Sequence, residues 1–101
     1  MTPNEIVFLD ANVAGYTAII PAIPAGIPVI VLDPDKDGVI QITESLHHYH
    51  DLSAVHIISH GHSASLNLGS VALSADNLIT YADHLQSWKQ SLNVSADILL
   101  Y

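Results

Sequence analysis

Residues 5–10 read E-I-V-F-L-D, and whether that run is strand or helix decides the fold. It is short, apolar at odd and even positions alike, partly β-branched, and closed by an acid. That is the signature of a strand buried on both faces, as inside a parallel sheet, rather than of a half-solvated antiparallel strand. The pattern returns in P-V-I-V-L at 28–32, followed by Asp33, and in A-V-H-I-I-S at 54–59, followed by His60-Gly61. D-I-L-L-Y at 97–101 is a fourth such run.

Segments of helical period lie between these runs. Val13, Tyr16, Ile19, Ile20 and Ile23 predict a helix over Ala11 to Ile20. Pro21 and Pro24, which lack an N–H donor, shorten or kink it, and Gly26 is a stop signal. Val39, Ile42, Leu46 and Tyr49 predict an amphipathic helix behind the turn D-P-D-K-D-G (33–38). Leu78, Ala82, Leu85, Trp88 and Leu92 predict a third helix, and Ser65 to Leu68 with Val71 to Leu73 a β-hairpin around Gly69-Ser70. Strands alternating with helices place residues 1–101 in one α/β domain whose parallel sheet is covered on both faces. An apolar last strand with nothing to cover it is expected in a truncated domain, and its open edge invites self-association.

Composition narrows the function classes. Half of the 101 residues are hydrophobic and 12% are charged, which excludes a disordered chain. The net charge is −8 and Lys36 and Lys89 are the only basic side chains, so nucleic acid and anionic membrane surfaces are not expected partners. The apolar runs are too short to cross a bilayer, and nothing before Glu5 reads as a secretory leader. The chain has no cysteine, hence no disulfide, thiolate metal site or cysteine nucleophile of its own.

Open α/β sheets bind ligands at the carboxyl ends of their strands, where Asp10, Asp33 and His60 fall. Asp10 is a candidate orienting residue, although an Asp after a strand also serves as a helix cap. Asp10, Asp33 and His60 together would suit a metal-dependent hydrolase. His60 and His62 share a side if the segment is extended, and Gly61 allows a close approach. Ser59, Ser63 and Ser65 stand nearby, none in a G-x-S-x-G elbow. His47, His48 and His50 are either a zinc set or a solvated helix end, with His47 and His48 diverging by about 100° on a helix. His56, inside a strand, is a satisfied buried histidine or an edge-facing one. His84 is expected to be exposed.

The segment D-P-D-K-D-G-V-I-Q-I-T-E (33–44) matches the calcium-loop pattern D-x-D-x-D-G-x5-E. Asp33, Asp35, Asp37 and Glu44 would supply side-chain oxygens, Val39 a backbone carbonyl and Gly38 the sharp turn around Ca²⁺. A strand enters this loop where that motif has a helix. The competing reading is a turn in which Pro34 sets φ, Gly38 bends the chain and Asp37 caps the helix.

F-L-D (8–10), V-L-D-P-D-K-D-G (31–38), H-I-I-S-H-G (56–61), L-N-L-G-S-V-A-L (66–73) and, beyond Trp88, A-D-I-L-L-Y (96–101) follow in order. Together they resemble the DUF4347 domain of large bacterial surface and secreted proteins of adhesin type. That family is in turn similar in layout to the caspase-like (clan CD) cysteine peptidases. The resemblance implies a three-layer sandwich whose mainly parallel four-stranded sheet has the order 2-1-3-4, with a small hairpin after the third strand. It also implies an extracellular or cell-surface location, and the rest of a parent protein as partner. By the same resemblance His60 would be a general base and Gly61 its oxyanion-side neighbour, with the nucleophilic cysteine beyond Tyr101. Two functions are therefore expected: a non-catalytic module for adhesion, assembly or processing, with Ca²⁺ as its candidate cofactor, or half of a peptidase.

Overall fold

The computed structural model describes residues 4–59, 61–62 and 65–101, with only the backbone of Gly61 and His62. Four strands form the main sheet: β1 (Glu5–Asp10), β2 (Val29–Leu32), β3 (Leu52–Ile58) and the late strand β7 (Leu92–Leu100). Their spatial order is β2-β1-β3-β7 and every pairing is parallel. In terms of the four expected strands this is 2-1-3-4. β4 (Gly61–His62), β5 (Ser65–Leu68) and β6 (Val71–Ser74) make a separate antiparallel sheet, so the expected hairpin carries one further short strand.

The helix α2 (Gly38–Leu46) covers one face. Its stripe of Val39, Ile42 and Leu46 packs with Ile6, Phe8, Val55 and Ile57 from the sheet, and with Leu68 and Trp88. All of these side chains are buried. Burying each contributes about 1.5–3 kcal/mol relative to exposure, so this face dominates the stability of the domain. The opposite face is covered by α1 (Tyr16–Ile19), a 3₁₀ turn at Ile20–Ala22 and the chain leading into β2. Cover there is thinner: Val7 and Leu9 are buried, while Val31 is 40% and Leu99 38% exposed.

Two helices differ from expectation. The first has four α-helical residues instead of ten, because Gly15 takes φ +71° just before it and Pro21 converts its end to 3₁₀. The third is α3 (Ala82–Ser87) between 3₁₀ segments at Leu78–Tyr81 and Trp88–Ser91. Leu92, expected to close its apolar stripe, instead opens β7 and pairs with Leu52. The next matched pair is Ala54 with Asp97, so β7 bulges between the two. Two hydrogen bonds anchor the 3₁₀ turn after α3 to α2, and a third, within α2, orients the acceptor of the first. Trp88 Nε1–H donates to Thr43 Oγ1 at 2.8 Å, Thr43 O–H to the Val39 carbonyl at 2.8 Å, and Ser91 O–H to the Leu46 carbonyl at 2.6 Å.

Candidate functional site

The carboxyl ends of β1 and β2 do gather polar groups, together with the tip of the β5–β6 hairpin. Asp10 is completely buried there. Its Oδ1 accepts from the Asn12 N–H at 3.0 Å and its Oδ2 from the Gly69 N–H at 3.2 Å. Asn12 Nδ2 donates to the Gly69 carbonyl at 3.2 Å, so Asp10 and Asn12 hold both backbone groups of one glycine. Gly69 has φ +61°, and a Cβ would run into the Lys36 carbonyl and come within 2.9 Å of the Asp33 carbonyl. Only glycine suits both constraints. The Ser70 N–H then donates to the Lys36 carbonyl at 2.8 Å, fastening the hairpin tip to the 33–38 turn.

That turn is tied internally. Asp33 Oδ1 accepts from the Asp35 N–H at 2.9 Å. Gln41 reaches back from α2, its Oε1 accepting from the Asp33 N–H and its Nε2 donating to the carbonyls of Asp33 and Lys36. Asp37 is the N-cap of α2, its Oδ1 accepting from Val39 and Ile40 at 2.9 and 3.2 Å. Its Oδ2 accepts the Tyr81 O–H at 2.6 Å. This bond, then burial, then the charge of the carboxylate raise the Tyr81 phenol above its usual 10.

Of the five calcium-loop positions, Asp33 and Asp37 thus engage backbone donors, and the Val39 carbonyl lies within α2 accepting from Thr43. Glu44 is exposed on the helix and Asp35 exposed on the turn. Among the described residues no three His, Asp or Glu side chains are grouped to hold a metal ion. Gly38 differs from its expected role. It is the first residue of α2 and not among the positive-φ glycines. A Cβ there would clash with the Leu68 backbone and come within 2.6 Å of its Cβ, so Gly38 provides close approach rather than a bend.

His60 lies outside the described residues, as do Ser63 and Ala64. Gly61 pairs with Leu66 in the small sheet, which places this part of the His60-Gly61 motif beside the hairpin. His47 and His48 are exposed beyond the end of α2, and His84 is half-buried with its ring 6.3 Å from that of Tyr81. His56 is the satisfied histidine of the two expected alternatives. Its Nε2 meets Glu5 Oε1 at 2.8 Å and its Nδ1 meets the Tyr101 hydroxyl at 2.9 Å.

Sequence reasoning did not identify Asn12, Gln41, Gly69 or Tyr81 as parts of the rim. The short polar connection A-N after Asp10 and the lone glycine at the hairpin tip were the available signals. A cavity of about 400 Å³ beside the clasp is lined by Asn12, Asn67, Gly69, Ser70, Val71 and Ala72. Comparison with known proteins adds one finding. A family model described as a domain of unknown function (DUF4347) matches residues 6–101. No curated protein and no solved structure matches the chain.

Proposed function

We propose a non-catalytic, scaffolding role for this chain, which belongs to the DUF4347 family, as a module of a large bacterial surface protein. The observation that supports it is the state of the rim. Asp10, at the end of β1, and Asp37, at the start of α2, are both occupied in holding the hairpin and α2. Both Asp10 oxygens rest on backbone donors and the side chain is fully buried, so its bonds hold backbone in place. The surface location rests on the family resemblance and is part of the proposal.

The competing reading, a caspase-like peptidase with His60 as base, needs a thiol, and the chain contains no cysteine. A cysteine-directed activity probe on the parent protein extended past Tyr101, wild type against His60→Ala, tests both readings. Labelling that is absent, or equal in the two proteins, is the expected result. Labelling lost with His60→Ala would overturn the scaffolding role.

Assembly would run through β7, whose Ile98 and Leu100 are 44 and 59% exposed, with Tyr101 just beyond it at 62%, and which pairs only with β3 among the described strands. An unpaired apolar edge recruits a further strand, here from a second copy. Sedimentation should show a concentration-dependent dimer that Ile98→Lys abolishes; a monomer at all concentrations would remove this part. Calcium binding would require Asp37 to leave the helix cap and Val39 to leave the helix. Millimolar Ca²⁺ should therefore leave the melting temperature unchanged, whereas a bound ion would raise it by mass action.

A further inference from the structure

On the sheet face turned away from α2 lies a cavity of about 320 Å³, separate from the rim. Val7 and Ile58 form its floor, and Ile23, Pro24 and Ile27 its wall. Three polar side chains enter this apolar setting: Glu5, His56 and Tyr101. They come from adjacent strands because the register sets Val7 beside His56 and His56 beside Leu99, with Glu5 and Tyr101 two residues along on the same side. Glu5 and Tyr101 each bond a different nitrogen of His56, at 2.8 and 2.9 Å, and the His56 and Tyr101 rings stack at 5.9 Å.

These bonds determine what the cavity can recognise. A carboxylate only accepts, so His56 donates its Nε2–H to Glu5. With a neutral ring, Nδ1 is then the acceptor and takes the Tyr101 O–H. In that neutral form the hydrogen-bonding capacity left on the three groups is all acceptor: lone pairs on the Glu5 carboxylate and on the Tyr101 oxygen. Among the described residues no lysine or arginine lines the cavity, and the chain carries a net charge of −8. A ligand must therefore supply donors, and a cationic donor is favoured over a neutral one.

The geometry points to a binding site for a small organic ammonium, its hydrocarbon part against Val7, Ile23, Ile27 and Ile58 and its N–H donors on Glu5. The volume sits at the low end of the roughly 300–1,000 Å³ usual for small-ligand sites, which suits one ring with a short chain.

Phenethylamine, 2-phenylethanol and 3-phenylpropanoate, which share a ring and differ in charge, test the site by titration into protein with ¹³C-labelled isoleucine methyls. Phenethylamine should shift Ile23, Ile27 and Ile58 saturably, with 2-phenylethanol weaker and 3-phenylpropanoate silent. Glu5→Gln keeps an acceptor for His56 but removes the charge, and should weaken phenethylamine by about tenfold or more, as expected for a lost charge-assisted hydrogen bond. Ile27→Trp, which fills the cavity, should abolish the shifts while Glu5 remains. The proposal is overturned if 3-phenylpropanoate binds as well as the amine or if Glu5→Gln binds it unchanged. It is equally overturned if no shift of these isoleucines occurs with the amine at about 10 mM, where even a millimolar site would be mostly filled.

Discussion

Replacing Gly38 by alanine adds one methyl group where α2 begins beneath the hairpin. The new Cβ would overlap the carbonyl carbon and oxygen of Leu68 and sit 2.6 Å from its Cβ. Leu68 is fully buried and belongs to β5, whose pairing with β6 prevents the backbone from moving alone. Relief therefore requires a shift of the helix start or of the hairpin, and small-to-large changes in packed sites cost about 1–3 kcal/mol. The rigidity of the neighbour places this case near the upper end, about 3 kcal/mol. Alanine is the better helix former by up to about 1 kcal/mol, which offsets part of the cost. The net loss is about 2 kcal/mol, equivalent to roughly 8–16 °C in a domain of this size. Thermal unfolding by circular dichroism measures it, with Asp35→Ala, on the exposed part of the turn, as a near-neutral control. A melting temperature unchanged or raised in Gly38→Ala would refute the close-approach account and return Gly38 to the role of a flexible turn residue.

Asp10→Ala leaves the N–H groups of Asn12 and Gly69 without their acceptor and should cost about 3 kcal/mol, read as a lower urea midpoint; an unchanged midpoint would mean that the clasp is not what holds the hairpin. Thr43→Val keeps the shape but strands the Trp88 indole N–H, a loss of about 1–3 kcal/mol. Trp88 is the only tryptophan, so its fluorescence follows the transition directly. Tyr81 has a folded-state pKa raised above 10, so its contribution is fully present below that pH and is lost as pH rises through the higher folded value. Tyr81→Phe should accordingly flatten the alkaline fall in stability, measured by melting temperature against pH; an identical alkaline slope in both proteins would count against the Asp37–Tyr81 bond.

The sheet was legible because its strands are apolar on both parities, a pattern that depends on local sequence alone. E-I-V-F-L-D and P-V-I-V-L became β1 and β2 within a residue of the expected ends. The stripe of α2 was equally local, and Asp37 caps it as the turn reading required. The first and third helices were overestimated because apolar spacing says nothing about Gly15 at positive φ or about the 3₁₀ preference around Pro21. Leu92 satisfied a helical period and a strand pairing equally well, and the contact with Leu52 selected the strand. The links between Asp10 and Gly69, and among Glu5, His56 and Tyr101, join residues dozens of positions apart. They exist only once the strand register is set, so no local pattern announced them.

The topology also sets an order of events in time. Every pairing in the main sheet is parallel and must close a long intervening chain, whereas β5 and β6 are joined by a tight turn at Gly69-Ser70. Loop closure delays the first kind of contact and spares the second. The hairpin can therefore form early as an isolated unit but has nowhere to dock until β1 and the start of α2 are in place to receive it. Its seating over Gly38 then belongs to the descent from the transition state, so Gly38→Ala should accelerate unfolding while leaving the refolding rate nearly unchanged in a chevron analysis.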